Sequence, residues 1–132
     1  NPLHLYVTEH FPLDQYRYVE SVTYRGTFYS VDNNHSILLH NARKTDFLVG
    51  MIRKIIIQNT AENVPKIIFV FQKTVITPIA NLGLYSVTIG KEFDHINIEN
   101  IADYYPLYIF DRAKPNAPPE LVLTLRTSPF LE

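Results

Sequence analysis

Two apolar runs constrain this chain more than anything else in it. Between Asp46 and Pro78 the sequence passes from Phe47-Leu48-Val49-Gly50-Met51-Ile52-Arg53-Lys54-Ile55-Ile56-Ile57 through a polar break at Gln58 to Pro65. It then enters Lys66-Ile67-Ile68-Phe69-Val70-Phe71-Gln72-Lys73-Thr74. A run of this length is compatible with helix or strand by periodicity alone. Gly50 in mid-run, the β-branched cluster Ile55-Ile56-Ile57 and the turn-like Gln58-Asn59-Thr60 favour strand. The expectation is a pair of antiparallel neighbours, Leu48 to Ile57 and Lys66 to Gln72, joined across the polar break.

The other segments arrange themselves around that pair. Residues 1–14 hold Pro2 and Pro12 and show no clean period, so they read as an extended lead-in on the surface. The alternation of Leu3, Leu5 and Val7 allows a short edge strand there. Gln15 to Asp32 reads as strand, bent or bulged at Gly26 and closed by the turn signal Asp32-Asn33-Asn34. Ser36 to His40 is a short strand and Asn41 to Asp46 a polar loop. Thr77 to Gly83 reads as loop, Leu84 to Thr88 as a strand closed by Gly90, and Ile98 to Ala102 as one helical turn. Tyr104 to Phe110 is strand again, and Asp111 to Pro119, with three prolines, is loop. In Glu120 to Thr127 the alternation turns Leu121, Leu123 and Leu125 inward, against Val122 and Thr124. The sum is one mostly-β domain over residues 1–132 with short strands and at most short helical turns.

Composition narrows the function classes. An apolar share of 46% rules out a disordered chain. No apolar run is long enough to cross a bilayer as a helix, so no membrane partner is expected. Asn1-Pro2 reads as the start of an excised domain, so its lack of a targeting signal carries little meaning. Cysteine is absent, which removes disulfides, thiolate metal sites and thiol nucleophiles together. A net charge of −1 gives no global pull toward nucleic acid. The charges are unevenly spread, however. Arg43, Lys44, Arg53, Lys54, Lys66 and Lys73 dominate the centre, and Glu92, Asp94, Glu99, Asp103 and Asp111 dominate the later part.

No catalytic constellation stands out. There is no nucleophile elbow and no glycine-rich phosphate loop, since the four glycines are isolated. None of His4, His10, His35, His40 and His95 is spaced from another histidine or a carboxylate as metal ligands are. The expectation is a binding domain, without enzyme activity, cofactor or metal. Tyr104-Tyr105 and Tyr16/Tyr18 are candidate contact aromatics.

The order of these segments resembles a BAH (bromo-adjacent homology) domain, a β-rich chromatin module. The likeness is carried by Val22-Thr23-Tyr24-Arg25-Gly26 with Tyr29-Ser30-Val31-Asp32, by Leu48 to Ile55, by Ile67 to Gln72, and by Gly83-Leu84-Tyr85-Ser86 followed by Asp94 to Ile101. No one of these motifs is specific; their order and spacing carry the resemblance. The proline-rich loop leading into Glu120 to Arg126 is similar to the end of the BAH domain in the largest subunit of the origin recognition complex, which implies a setting in DNA replication.

The resemblance implies a distorted, barrel-like β fold in a nuclear protein, binding a histone tail or nucleosome and other chromatin proteins. It also implies a place for a methyl-lysine cage. The family's cage tyrosine falls on Leu48, next to Phe47, its cage tryptophan on Phe69, and a further aromatic on Phe71. Phenylalanine is a weaker cation–π surface than tryptophan and leucine is none, so the cage is degraded here. Asp94 and Asp103, in the acidic part, would attract a basic tail. Two other classes remain: DNA binding through Arg43, Lys44, Arg53, Lys54 and Lys73, and a scaffold for a non-histone partner.

Overall fold

A computed structural model of the chain describes residues 1–32, 35–39, 48–60, 62, 64–79, 83–102 and 107–124. In chain order they form α1 (Pro2–His10), β1 (Arg17–Val19), β2 (Ser21–Tyr24), β3 (Thr27–Ser30), β4 (His35–Leu39), β5 (Leu48–Gln58), β6 (Lys66–Ile79) and β7 (Leu84–Asn97). After a 3₁₀ turn at Ile98–Asn100 come β8 (Leu107–Tyr108), β9 (Phe110–Asp111) and β10 (Leu121–Leu123). The protein is mostly β, as its sequence indicates. The expected loop at Asn41 to Asp46, and Leu125, lie outside the described residues.

The central pair is as expected. β5 and β6 run antiparallel, from Gly50 opposite Lys73 to Gln58 opposite Lys66. Their near-continuous apolar content follows from a bulge. Ile52 faces Phe71 and Lys54 faces Val70, so Arg53 is an extra residue. One inserted residue reverses which face each later side chain takes. Ile52 before the bulge therefore joins Ile55 and Ile57 after it in one core, with Phe69, Phe71, Tyr29 and Ile98. Val49 and Met51 point into a second core with Tyr85, Val87, Leu107, Ile109 and Leu123. Ile56, Ile68 and Val70 form the floor of a third, roofed by Val7 and Phe11.

That roof corrects the reading of residues 1–14 as an extended lead-in or edge strand. The Asn1 side chain accepts from the backbone N–H of Leu3 at 3.0 Å and of His4 at 3.4 Å, and Pro2 sits in the first turn. These are N-terminal helix signals. Leu3, Tyr6, Val7 and Phe11 supply the inward stripe, while Leu5, which alternation would bury with them, is 59% exposed.

Three further corrections have local causes. Thr77 to Gly83 is not all loop, because β6 continues to Ile79. The ladder to β5 ends at Lys73, so beyond it β6 pairs only with β7, and Pro78 lacks no bond it would need there. β7 does not stop at Gly90. Between the pairs Gln72–Phe93 and Thr74–Ile89, residues 90–92 face Lys73 alone, a wide bulge that lets one strand run through. Val122 does not point to solvent. It is as fully buried as Leu123, since both faces of β10 are covered, while Leu121 is half-buried. Among the described residues seven of the ten strands are short, of 2 to 5 residues, as expected, while β5, β6 and β7 run to 11, 14 and 14 residues and α1 to 9.

β2 and β3 form a separate hairpin turned at Arg25-Gly26, both at positive φ. The main sheet runs β8-β4-β5-β6-β7-β10-β9, with β1 beside the far half of β5. Among the described residues the ladder is not closed into a barrel: β8 pairs with β4, and β9 with β10, at opposite ends. Both end strands nevertheless belong to one segment, Leu107 to Asp111, interrupted at Ile109. The proline-rich loop after it is pinned by Asp111, whose Oδ1 accepts from the N–H of Ala113 at 2.9 Å and of Glu120 at 3.0 Å. Those two bonds hold the Asp111 carboxyl below its ordinary pKa.

Candidate functional site

The outer margin of β7 is largely without a strand partner among the described residues. On its inner side β7 pairs with β6 from Leu84 to Asn97. On its outer side β10 pairs only with Tyr85 and Ser86. From Thr88 to Asn97 that margin has no strand partner among the described residues. It carries Lys91, Glu92 and Asp94, all exposed. Charges and a bulge on an edge guard it against indiscriminate pairing.

Next to this margin lies a groove of about 660 Å³ with Val49, Phe71, Thr74 and Gly90 in its walls and Lys73 and Asp94 at its rim. A polar chain ties the two bulges beside it. Arg53 Nε donates to Gln72 Oε1 at 2.8 Å, and Gln72 Nε2 donates to the Gly90 carbonyl at 2.6 Å. Thr74 Oγ1 donates to the Val49 carbonyl at 2.6 Å, which satisfies a buried hydroxyl. Lys73 Nζ lies 3.4 Å from Glu92, across the wide bulge.

The sequence-derived site residues separate into three groups. Phe47 and Asp103 lie outside the described residues. Leu48 begins β5 opposite Leu39. Phe69 and Phe71 share a face, as their spacing requires, and both belong to the same core. Phe69 is 0% exposed and packs on Tyr29 with ring centroids 5.0 Å apart, so it presents no open face to a ligand. Phe71 is 5% exposed and borders the groove. Asp94 is its cross-strand partner on β7. The structure thus brings one ring and one carboxylate of the expected set together.

The central cations are engaged rather than displayed as one face. Arg53 bonds Gln72, Lys54 Nζ lies 5.1 Å from the Tyr18 ring centroid, and Lys73 pairs with Glu92. Burial holds the Arg53 guanidinium below its ordinary pKa. Arg43 and Lys44 lie outside the described residues.

A second cluster was not visible as such in the sequence. Tyr6 on α1 places its hydroxyl 2.7 Å from Nδ1 of His95 on β7 and stacks on His10 at 4.1 Å. Phe11 meets the His95 ring edge-on at 4.9 Å. Burial, with Asp94's charge and hydrogen bonding behind it, pushes the Tyr6 hydroxyl up to about 12. Burial also pushes His95 below the ordinary imidazole range, against the pull of Asp94 and with help from His10 and Lys66. The i,i+4 spacing of Tyr6 and His10 would have indicated part of this cluster had residues 2–10 been read as a helix.

No family model, no curated protein and no solved structure matches the chain. Among the described residues no helix is long and apolar enough to cross a membrane, and no group of three or more histidines or carboxylates is placed to hold a metal ion.

Proposed function

We propose that this domain is a protein-interaction module of the BAH type, that it works on chromatin in the nucleus, and that it takes an extended histone tail or a segment of the nucleosome surface as an added strand on β7. The unpaired margin from Thr88 to Asn97 carries this reading. Adding a strand there would give main-chain hydrogen bonds for affinity, and the adjoining groove would give selectivity for alternate side chains. Asp94 at the rim, opposite Phe71, suits a basic side chain with an alkyl stem. The order of the BAH-like segments supplies the chromatin setting.

The test is an array of unmodified and modified histone peptides probed with the domain, followed by titration of any peptide retained. Binding of basic tails, weakened by Asp94→Lys, supports the reading. If no histone peptide is retained and duplex DNA binds with a steep salt dependence, the central cations are the working surface instead. If neither binds, the domain is a scaffold for a non-histone partner.

A further inference from the structure

A cleft of about 480 Å³ lies where the C-terminal end of α1 meets the end of the β5–β6–β7 ladder. Its lining includes His10, His95, Lys66, Gln58, Asn97 and Asn100. No carboxylate lines it among the described residues. The two imidazoles are 5.8 Å apart between ring centroids. We propose that this cleft is a binding site for a phosphate group, free or carried as a small monoester, held by Lys66, His10 and His95.

The hydrogen bonding behind the imidazoles supports this assignment. His10 Nδ1 lies 2.9 Å from the Tyr6 carbonyl, which can only accept, so Nδ1 carries the proton of that bond and Nε2 is the nitrogen left for a ligand. His95 Nδ1 is engaged by the Tyr6 hydroxyl. The Nε2 atoms of both rings have no partner among the described residues. In the imidazolium form His10 Nε2 becomes an N–H donor, and His95 Nε2 already is one where Nδ1 accepts from the Tyr6 hydroxyl; such donors suit a dianion with several acceptor oxygens.

The nearest negative group lies outside the cleft. Asp94 stands 3.9 Å from Nδ1 of His95, behind the ring, and is not in the lining. At the end of α1 the Val7 carbonyl accepts from Phe11 N–H and the Phe11 carbonyl from the Tyr18 hydroxyl at 2.6 Å. The remaining titratable neighbours are Tyr6, held protonated, and Tyr16, which can donate. His10 and Lys66 both act to lower the proton affinity of His95, behind burial and against the larger opposing pull of Asp94, so their charges bear on its ring. Phe11 and Tyr16, edge to face at 5.2 Å, add an apolar wall that an ester's organic group would meet.

The experiment follows the histidine Cε1–H signals by NMR through a pH titration of the full chain, without and with millimolar inorganic phosphate, phenyl phosphate or sulfate. Bound phosphate should raise the apparent pKa of both His10 and His95 by about half a unit or more and leave exposed His4 unmoved. Sulfate, dianionic throughout, should bind roughly tenfold tighter at pH 6 than at pH 8 as the imidazoles charge. Lys66→Met, at an exposed position, should weaken binding about tenfold while the signals of the free protein stay in place. Tighter binding of phenyl phosphate than of phosphate marks a monoester site, and equal binding marks a site for the free anion. Histidine titrations unchanged by all three anions, a shift of His4 equal to the others, or unaltered binding in Lys66→Met would each overturn the proposal.

Discussion

The ring of Phe71 lies directly on Gly50, so closely that a Cβ at residue 50 would come within 2.5 Å of its Cδ2 and 2.9 Å of its Cβ. The clash involves the root of the side chain as well as its tip, so rotation of the ring does not relieve it. Gly50→Ala should therefore cost about 1–3 kcal/mol in urea unfolding, the range for overpacking. Adding Phe71→Leu should recover part of that loss, because residues in contact are not additive. Equal stability of Gly50→Ala and the natural chain would show that Phe71 does not rest there.

Leu123 is fully buried in the core that also holds Tyr85 and Leu107. Leu123→Ala should cost about 2–5 kcal/mol. A loss below roughly half a kcal/mol, within the range of an ordinary surface change, would make β10 a peripheral strand.

Ser36 is buried, and its Oγ has no hydrogen-bond partner among the described residues. A buried hydroxyl without a partner carries an uncompensated desolvation cost. Ser36→Ala is therefore expected to be neutral or stabilising in thermal unfolding, whereas most buried substitutions destabilise. A clear drop in Tm would reveal a bond to that hydroxyl.

His95 fixes the sign of one pH effect. Its folded-state proton affinity lies below the ordinary imidazole value, so the unfolded chain takes up the proton first as pH falls. Its contribution to stability is present above the unfolded pKa of about 6.5 and is lost as pH drops through the folded value. Tm measured in an anion-free buffer should decline from pH 7 toward pH 5, and less steeply in His95→Gln. Parallel curves for the two chains would remove His95 as the source.

The geometry of the aromatic pair sets an expectation for any methyl-lysine preference. With Phe69 sealed in the core and Phe71 open only at the groove, matched methylated and unmethylated peptides should differ at most about tenfold, or 1.4 kcal/mol, by calorimetry. A hundredfold preference abolished by Phe71→Ala would mean that the groove rebuilds around its ligand.

The central strands were legible because β-branched residues in Ile55-Ile56-Ile57 and Ile67-Ile68 fit a pleated surface covered on both sides. α1 was not, because Leu3 and Val7 satisfy a period of 2 and a period of 3.6 alike, and the Asn1-Pro2 start that favours a helix was not weighed against that alternation. The run of β7 through Gly90 was hidden for a different reason: its bulge is set by the partner strand, at Lys73. That bulge also fixes the register that sets Asp94 opposite Phe71, so their meeting had no local sign. The Tyr6–His95 contact joins the first helix to the seventh strand and is a product of packing alone.

Leu107 to Asp111 touches both ends of the main sheet, and this has a consequence for how the chain is made. Emerging from the ribosome, β4 has one neighbour in β5 and must wait for Leu107 before its other flank is paired. Such distant pairing is slow, and an unpaired flank is open to other chains in the meantime. A chain that stops short of Leu107 would keep that flank bare. Fragments of this kind should be recovered as aggregates, whereas chains that run through β10 should be recovered as soluble product.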